Sequence, residues 1–306
     1  MIGSGPVNVK TTTTGSGVID EIGEGDLRVK ILRKGAEMVS VARDGRGFLY
    51  RDGETSAPAS GWGNHATVMG YFLHRLWKEE SSYRGSVIRG GNHGFLRHFD
   101  FAEPVRLEDG LRYSLRADEI PPGAYPLRVS CALTYRLVGG SVHVEFEFKN
   151  EEPSLEAHVS FGLHPGFAVG SLADARVILP AGRYVRHFAP GNFLDGRTEV
   201  RDFQGGEMPY PRAELAGSYL LGIEAVPERT IVLESPACGS RVSLDFREVP
   251  YMTLWSDSDA FICIEPCWGL PDSNPPVVFE AKAGIQKIPA GGSLRRGFSF
   301  QPGFLS

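Results

Sequence analysis

No stretch of this sequence approaches the roughly 20 consecutive apolar residues that a membrane-spanning helix needs, and its start lacks a basic segment followed by an apolar one. Basic residues do not cluster either: no run is longer than Arg295–Arg296, and 32 Lys and Arg stand against 37 Asp and Glu. A net charge of −5 and a pI of about 5.9 leave no electrostatic footprint for nucleic acid. Cysteine is scarce. Cys131, Cys238, Cys263 and Cys267 form no CxxC, and no second pair supports a zinc site or a disulfide framework. There is no GxSxG elbow, phosphate-binding loop, HExxH or dinucleotide fingerprint. A soluble, cytoplasmic protein with reduced thiols and no nucleic-acid or membrane partner is expected.

What the sequence does contain is alternation. In "SVHVEFEFKN" Val142, Val144, Phe146 and Phe148 share one face, and His143, Glu145, Glu147 and Lys149 the other. The run "CALTYRLV" precedes it across Gly139–Gly140, a two-residue hairpin signal. "RTIVLESP", "RVSLDFRE" and "LRRGFSFQP" follow the same period, and 38 glycines and 21 prolines punctuate the chain without low complexity. One segment departs from it: Val68, Phe72 and Leu76 in "ATVMGYFLHRLWKEE" fit a helical face. Gly70 opposes that, and a loop with a short helical turn is the alternative. An all-β, large single-domain antiparallel β-sandwich over residues 1–306 is expected, with 1–17 a loose N-terminal extension.

Three places carry candidate chemistry. In "HVSFGLHPGF" the apolar Val159, Phe161 and Leu163 should pack inward, which puts His164 on the opposite face at a strand end. An imidazole there can move protons near neutral pH, or be a structural histidine. In "GGNHGFLRHF" glycines flank Asn92–His93, so the backbone can approach a ligand, and Arg97 offers a planar donor fork; an ordinary turn is the alternative. In "FICIEPC" Glu265 ends a β-like run, with Phe261 and Cys263 on its own face. Desolvation there should raise its pKa and suit it to general-base work, unless a salt bridge holds it.

Taken in order, "HGFLR" (93–97), "YPLRVSCALTYRLVGGSVHVEFEFKN" with "GLHPGF" (125–167) and "CIEPCWGLPD" (263–272) resemble the aldose 1-epimerase (mutarotase) family, in its bacterial branch with an HGFAR-type motif. The resemblance implies a galactose mutarotase-like supersandwich, and interconversion of the α and β anomers of a hexose without a cofactor or metal. It assigns His164 as the acid toward the ring oxygen and Glu265 as the base toward the anomeric hydroxyl. His93, Arg97, Arg75, Asp272 and Trp268 become sugar-binding residues. Three positions depart from the pattern: Leu96 should crowd one wall, Gly166 stands where many relatives carry an aromatic or Ala, and Cys267 stands where an aromatic often follows, with Trp268 one residue later, which shifts the stacking surface. An acidic hydroxyl ligand has no evident place in "AELAGSYLLGIE" (213–224). The alternatives are a hexose-6-phosphate mutarotase, which would gather Arg75, Arg84, Arg89 and Arg97 around a phosphate, and a non-catalytic sugar-binding protein. Glycoside hydrolysis would require a second carboxylate. The oligomeric state is not indicated.

Overall fold

Residues 7–54, 61–121, 123–209 and 212–305 are described by the computed structural model. Strand is by far the commonest regular structure, with antiparallel pairings building sheets of nine, seven and five strands and two small two-stranded sheets. Among the described residues the α-helix is the single turn Arg212–Leu215. The hairpin at Gly139–Gly140 forms as the sequence indicates. Both glycines adopt positive φ, 60° and 76°, as the tightest two-residue turn requires, and Val129–Val138 pairs with Ser141–Asn150 from Val138↔Ser141 outward.

The two large sheets meet face to face through the apolar halves of their alternating strands. Phe146, in the nine-stranded sheet, has its ring 5.1 Å from Phe161 and 6.0 Å from Trp268, both in the seven-stranded sheet. That alternation decides which side chains remain for chemistry, because residues on the far face of the seven-stranded sheet look away from this core. Its strands run in the order Thr198–Phe203, Gly182–His187, Tyr219–Gly222, Tyr251–Trp255, Phe261–Trp268, Phe161–Ala168 and Ala66–Met69.

Four expectations need correction. Within 1–17, Asn8–Thr14 is a strand paired along its whole length with Gly17–Glu24 in the five-stranded sheet; residues 1–6 lie outside the described residues. Segment 66–80 is not a helix. Ala66–Met69 is a fully buried strand and Trp77–Glu79 a 3-10 turn, so the spacing of Val68, Phe72 and Leu76 reflects burial on a winding chain, not a helical face. His164 and Glu265 do not end their strands. Phe161–Ala168 runs on through Pro165, and Phe261–Trp268 through Pro266, so both side chains stand mid-strand in the interior of the sheet. Proline reads as a stop in a strand because it lacks the ladder donor, but here the ladder resumes on either side of the proline step, at Gly162↔Cys267 and Gly166↔Cys263.

Candidate active site

The register that brackets the two prolines puts His164 opposite Glu265 on the neighbouring strand. Cross-strand neighbours on one face lie within side-chain reach, and His164 Nε2 is 3.3 Å from Glu265 Oε1. Thr67 extends the row as the partner of His164 on its other side. Above this row is a cavity of about 360 Å³, lined also by Trp62, Asn64, His74, Arg75, Asn92, His93, Arg97, Asn192, Ala216, Ser218 and Trp255.

The loops over the row are tied down by backbone contacts. Gly94, at φ 73°, sits so close to Gly70 that a Cβ would lie 2.1 Å from the Gly70 carbonyl oxygen. That carbonyl accepts from the N–H of Phe95 and of Leu96, while the Gly70 N–H donates to the His93 carbonyl. The glycine of "HGFLR" is therefore a docking requirement that fixes His93 over the sheet. The His74 N–H donates to His93 Nδ1 at 3.2 Å, so the His93 proton resides on Nε2. His74, His93, Asn192 and Ser218 all line the cavity with positive φ, between 54° and 73°. Such backbone costs of order 1–3 kcal/mol where the residue is not glycine, and it gathers at functional sites.

Electrostatics sets the cavity apart from the remaining surface. Burial lowers His164 and His74 to about 3, and holds His93 well below an ordinary histidine, with the nearby His164 imidazole opposing a second positive charge. Burial pushes Glu265 well above the usual carboxylate range. Both shifts favour the neutral forms, imidazole beside carboxylic acid, in two coupled groups that share one proton. Thr67 Oγ1, His74 Nε2, His164 Nδ1 and Glu265 Oε2 are buried with no hydrogen-bond partner among the described residues, and all four belong to the cavity wall. Buried polar atoms are normally satisfied, so this concentration points to a polar ligand. A larger groove of about 610 Å³ crosses the nine-stranded sheet, but it contains none of these unpaired atoms and its Arg247 and Arg295 are paired with Asp245 and Glu147. Among the described residues no group of three or more His, Cys, Asp or Glu is arranged to hold a metal ion.

A model of the aldose 1-epimerase family matches residues 21–259. The chain belongs to the aldose 1-epimerase family. Among curated proteins it is similar to the chromosomal protein LacX of Lactococcus lactis subsp. lactis, 23% identical over 284 residues that cover 86% of this chain and 92% of that protein. Among solved structures it shares the fold of a galactose mutarotase related enzyme from Lactobacillus acidophilus, with TM-score 0.84, 22% identity and coverage of 94% and 98% of the two chains. It also shares the fold of a galactose 1-epimerase from Lactobacillus acidophilus NCFM, with TM-score 0.72, 13% identity and coverage of 99% and 100%.

Within this family fold, the sequence-derived residues divide. His164, Glu265, His93, Arg97 and Arg75 meet in the cavity. Trp268 does not: it points into the inter-sheet core, stacked on Phe161 at 5.1 Å with its indole N–H donating to the Glu248 carbonyl, because an even-numbered residue of this strand faces away from Glu265. Asp272 is also outside the wall. It is buried in an ion pair with Lys282 at 3.4 Å and accepts from the Trp77 N–H, which anchors the chain just beyond His74 and Arg75. Burial lowers Lys282 to about 8. Arg84 donates to the Glu156 carbonyl and Arg89 pairs with Glu80, so neither reaches the cavity. Leu96 crowds Gly70 and not the cavity wall, and Cys267 packs with Met69 and Leu73.

Sequence reasoning passed over Trp62, Asn64, Thr67, His74, Asn192, Ser218 and Trp255. His74 carried the clearest signal, next to Arg75 in "FLHRLW". The tryptophans stand in no motif, yet they supply the aromatic wall that Trp268 was expected to provide. In segment 213–224, Ala216 and Ser218 reach the cavity while Glu214 pairs outward with Arg186. Among the described residues Glu265 is the one carboxylate lining the cavity, which leaves glycoside hydrolysis without its second acid there.

Proposed function

We propose that this protein is an aldose 1-epimerase in activity as well as in family, interconverting the α and β anomers of a neutral hexose. The observation that carries the reading is the His164–Glu265 contact of 3.3 Å, whose outer atoms, Nδ1 and Oε2, are buried and unpaired in the cavity wall.

Opening a hemiacetal removes a proton from the anomeric hydroxyl and delivers one to the ring oxygen, so an acid and a base suffice. Sugar hydroxyls that hydrogen-bond to Glu265 favour its carboxylate, and the shared proton passes to His164. Glu265 then takes the anomeric proton, and an oxygen lone pair forms the C1 carbonyl. The C1–ring-oxygen bond breaks toward the ring oxygen, which receives the proton of His164. Rotation about C1–C2 presents the other carbonyl face. Closure then runs the same steps backward and restores both groups. A well-placed acid or base contributes about 10²–10⁴-fold to the rate. His93 offers its Nε2–H, and Arg75 and Arg97 their guanidinium donors, to the ring oxygen and hydroxyls. A neutral sugar fits better than a phosphorylated one because Arg84 and Arg89 are engaged elsewhere.

Polarimetry of freshly dissolved α-D-glucose and α-D-galactose tests this. Wild type should accelerate the relaxation of at least one, and Glu265→Gln should abolish the effect. Acceleration of hexose 6-phosphates alone would replace the neutral substrate; no acceleration with any aldose would leave a sugar-binding protein of this family.

A further inference from the structure

Trp62 stands where the contacts of the site cross. Its ring centre is 5.1 Å from the His164 imidazole and 5.8 Å from Trp255, and Phe261 continues the aromatic layer at 5.1 Å. On its polar side, Asn64 is satisfied with its amide oxygen turned toward two donors, Trp62 Nε1–H and Arg97 Nη2–H, each at 3.2 Å. One indole thus packs on the His164 imidazole and, through Asn64, is linked to Arg97.

Residue 166 makes room for it. Gly166 lies two residues beyond His164 on the same strand and therefore on the same face. A Cβ there would lie 2.3 Å from Trp62 Cζ3 and 3.0 Å from Cη2, and the three nearest atoms all belong to Trp62. Gly166 is not among the positive-φ glycines, so its backbone suits any residue and the indole is what excludes a side chain.

We propose that Trp62 is a positioning residue: it holds the His164 imidazole against Glu265 and, through Asn64, steadies Arg97, in a place that exists because residue 166 has no side chain. The proposal rests on the reading of His164 and Glu265 as the proton-transfer pair. Other groups also act on His164: Glu265 from the adjacent strand, Thr67 from the strand on its other side, and His93, His74 and Arg97 from the loops. Trp62 and Trp255 supply the apolar part of its surroundings. Removing the indole admits water to the imidazole and eases its protonation.

The test is a double-mutant cycle on the full chain with Trp62→Ala, Gly166→Ala and the two combined, alongside Trp62→Phe. Polarimetry gives kcat and KM, and NMR follows the His164 imidazole, assigned with His164→Gln. Displacing one positioning contact is expected to lower kcat about 10- to 100-fold in each single variant. The double variant should fall no further than Trp62→Ala, because both changes remove the same packing. Wild-type His164 should remain neutral through the range near 6.5 where an ordinary histidine titrates, and Trp62→Ala and Gly166→Ala should move its titration up toward that range. Trp62→Phe keeps the apolar cover but loses the N–H, so KM should rise while the His164 titration stays. An unmoved His164 titration in both Trp62→Ala and Gly166→Ala overturns the proposal whatever turnover does, and so does an additive double variant. Because the NMR arm needs no turnover, it judges Trp62 even if wild type accelerates no aldose.

Discussion

His164 and Glu265 face each other from directly opposed positions on neighbouring strands, Nε2 to Oε1 at 3.3 Å, each followed by a proline that interrupts the ladder at that step. Strand register, not loop folding, thus sets the spacing of the proposed acid and base. A rigid sheet interior holds such a pair more closely than surface loops would.

The first consequence concerns Glu265. A carboxyl whose pKa is raised by burial contributes stability below its unfolded value, and that contribution is lost as pH rises through the folded value. Glu265→Gln removes the penalty. It should therefore abolish turnover while raising the thermal midpoint at neutral pH, with the gap over wild type widening from pH 5 toward pH 8. Thermal melts across that range check it; equal midpoints throughout would mean that Glu265 is not strained by burial.

The histidines act in the opposite sense. His74 and His164, lowered to about 3, and His93, also lowered, are neutral when folded. Their stabilisation is present above the unfolded value near 6.5 and is lost as pH falls from there toward the folded values. Each proton taken up on unfolding changes stability by about 1.4 kcal/mol per pH unit. Urea unfolding between pH 7 and pH 4.5 should show stability falling with acid, and less steeply in His74→Gln. A flat profile would contradict the assignment.

Trp268 separates core from site. Trp268→Ala removes a fully buried indole and should cost about 3–5 kcal/mol. Trp268→Phe should cost less and leave KM unchanged, whereas Trp255→Ala should raise KM with little loss of stability. Paired denaturation curves and KM measurements decide; a raised KM in Trp268→Phe would put that residue back in the site.

The arginines divide in the same way. Arg75→Ala and Arg97→Ala should raise KM for the preferred hexose by about tenfold or more, roughly the loss of one hydrogen bond to a charged group. Arg84→Ala and Arg89→Ala should change neither KM nor kcat. Sensitivity at Arg84 or Arg89 would revive a phosphate site outside the cavity described above.

Gly94→Ala probes the docking of the His93 loop. Its side chain would meet the Gly70 carbonyl and its φ of 73° disfavours any Cβ, so the variant should melt lower and lose turnover together. Unchanged activity would show that His93 is not held by this contact.

By itself the sequence determined the clearly alternating strands and several of the chemical groups. Period-two alternation in "SVHVEFEFKN" is a local property, and burying one face of it admits one reading. His164, Glu265, His93 and Arg97 were legible because they stand in short motifs with distinctive neighbours. The tertiary structure decided what depends on contacts distant in the chain. Whether a proline ends a strand depends on the ladder around it, so His164 and Glu265 read as strand ends until their strands were paired. Whether a tryptophan lines a cavity or a core depends on which face its strand presents, which placed Trp268 inside and left Trp255 at the site. Gly166 and Trp62 are more than a hundred residues apart, and neither is informative alone. The missing side chain of one acquires meaning only when the fold brings the ring of the other against it.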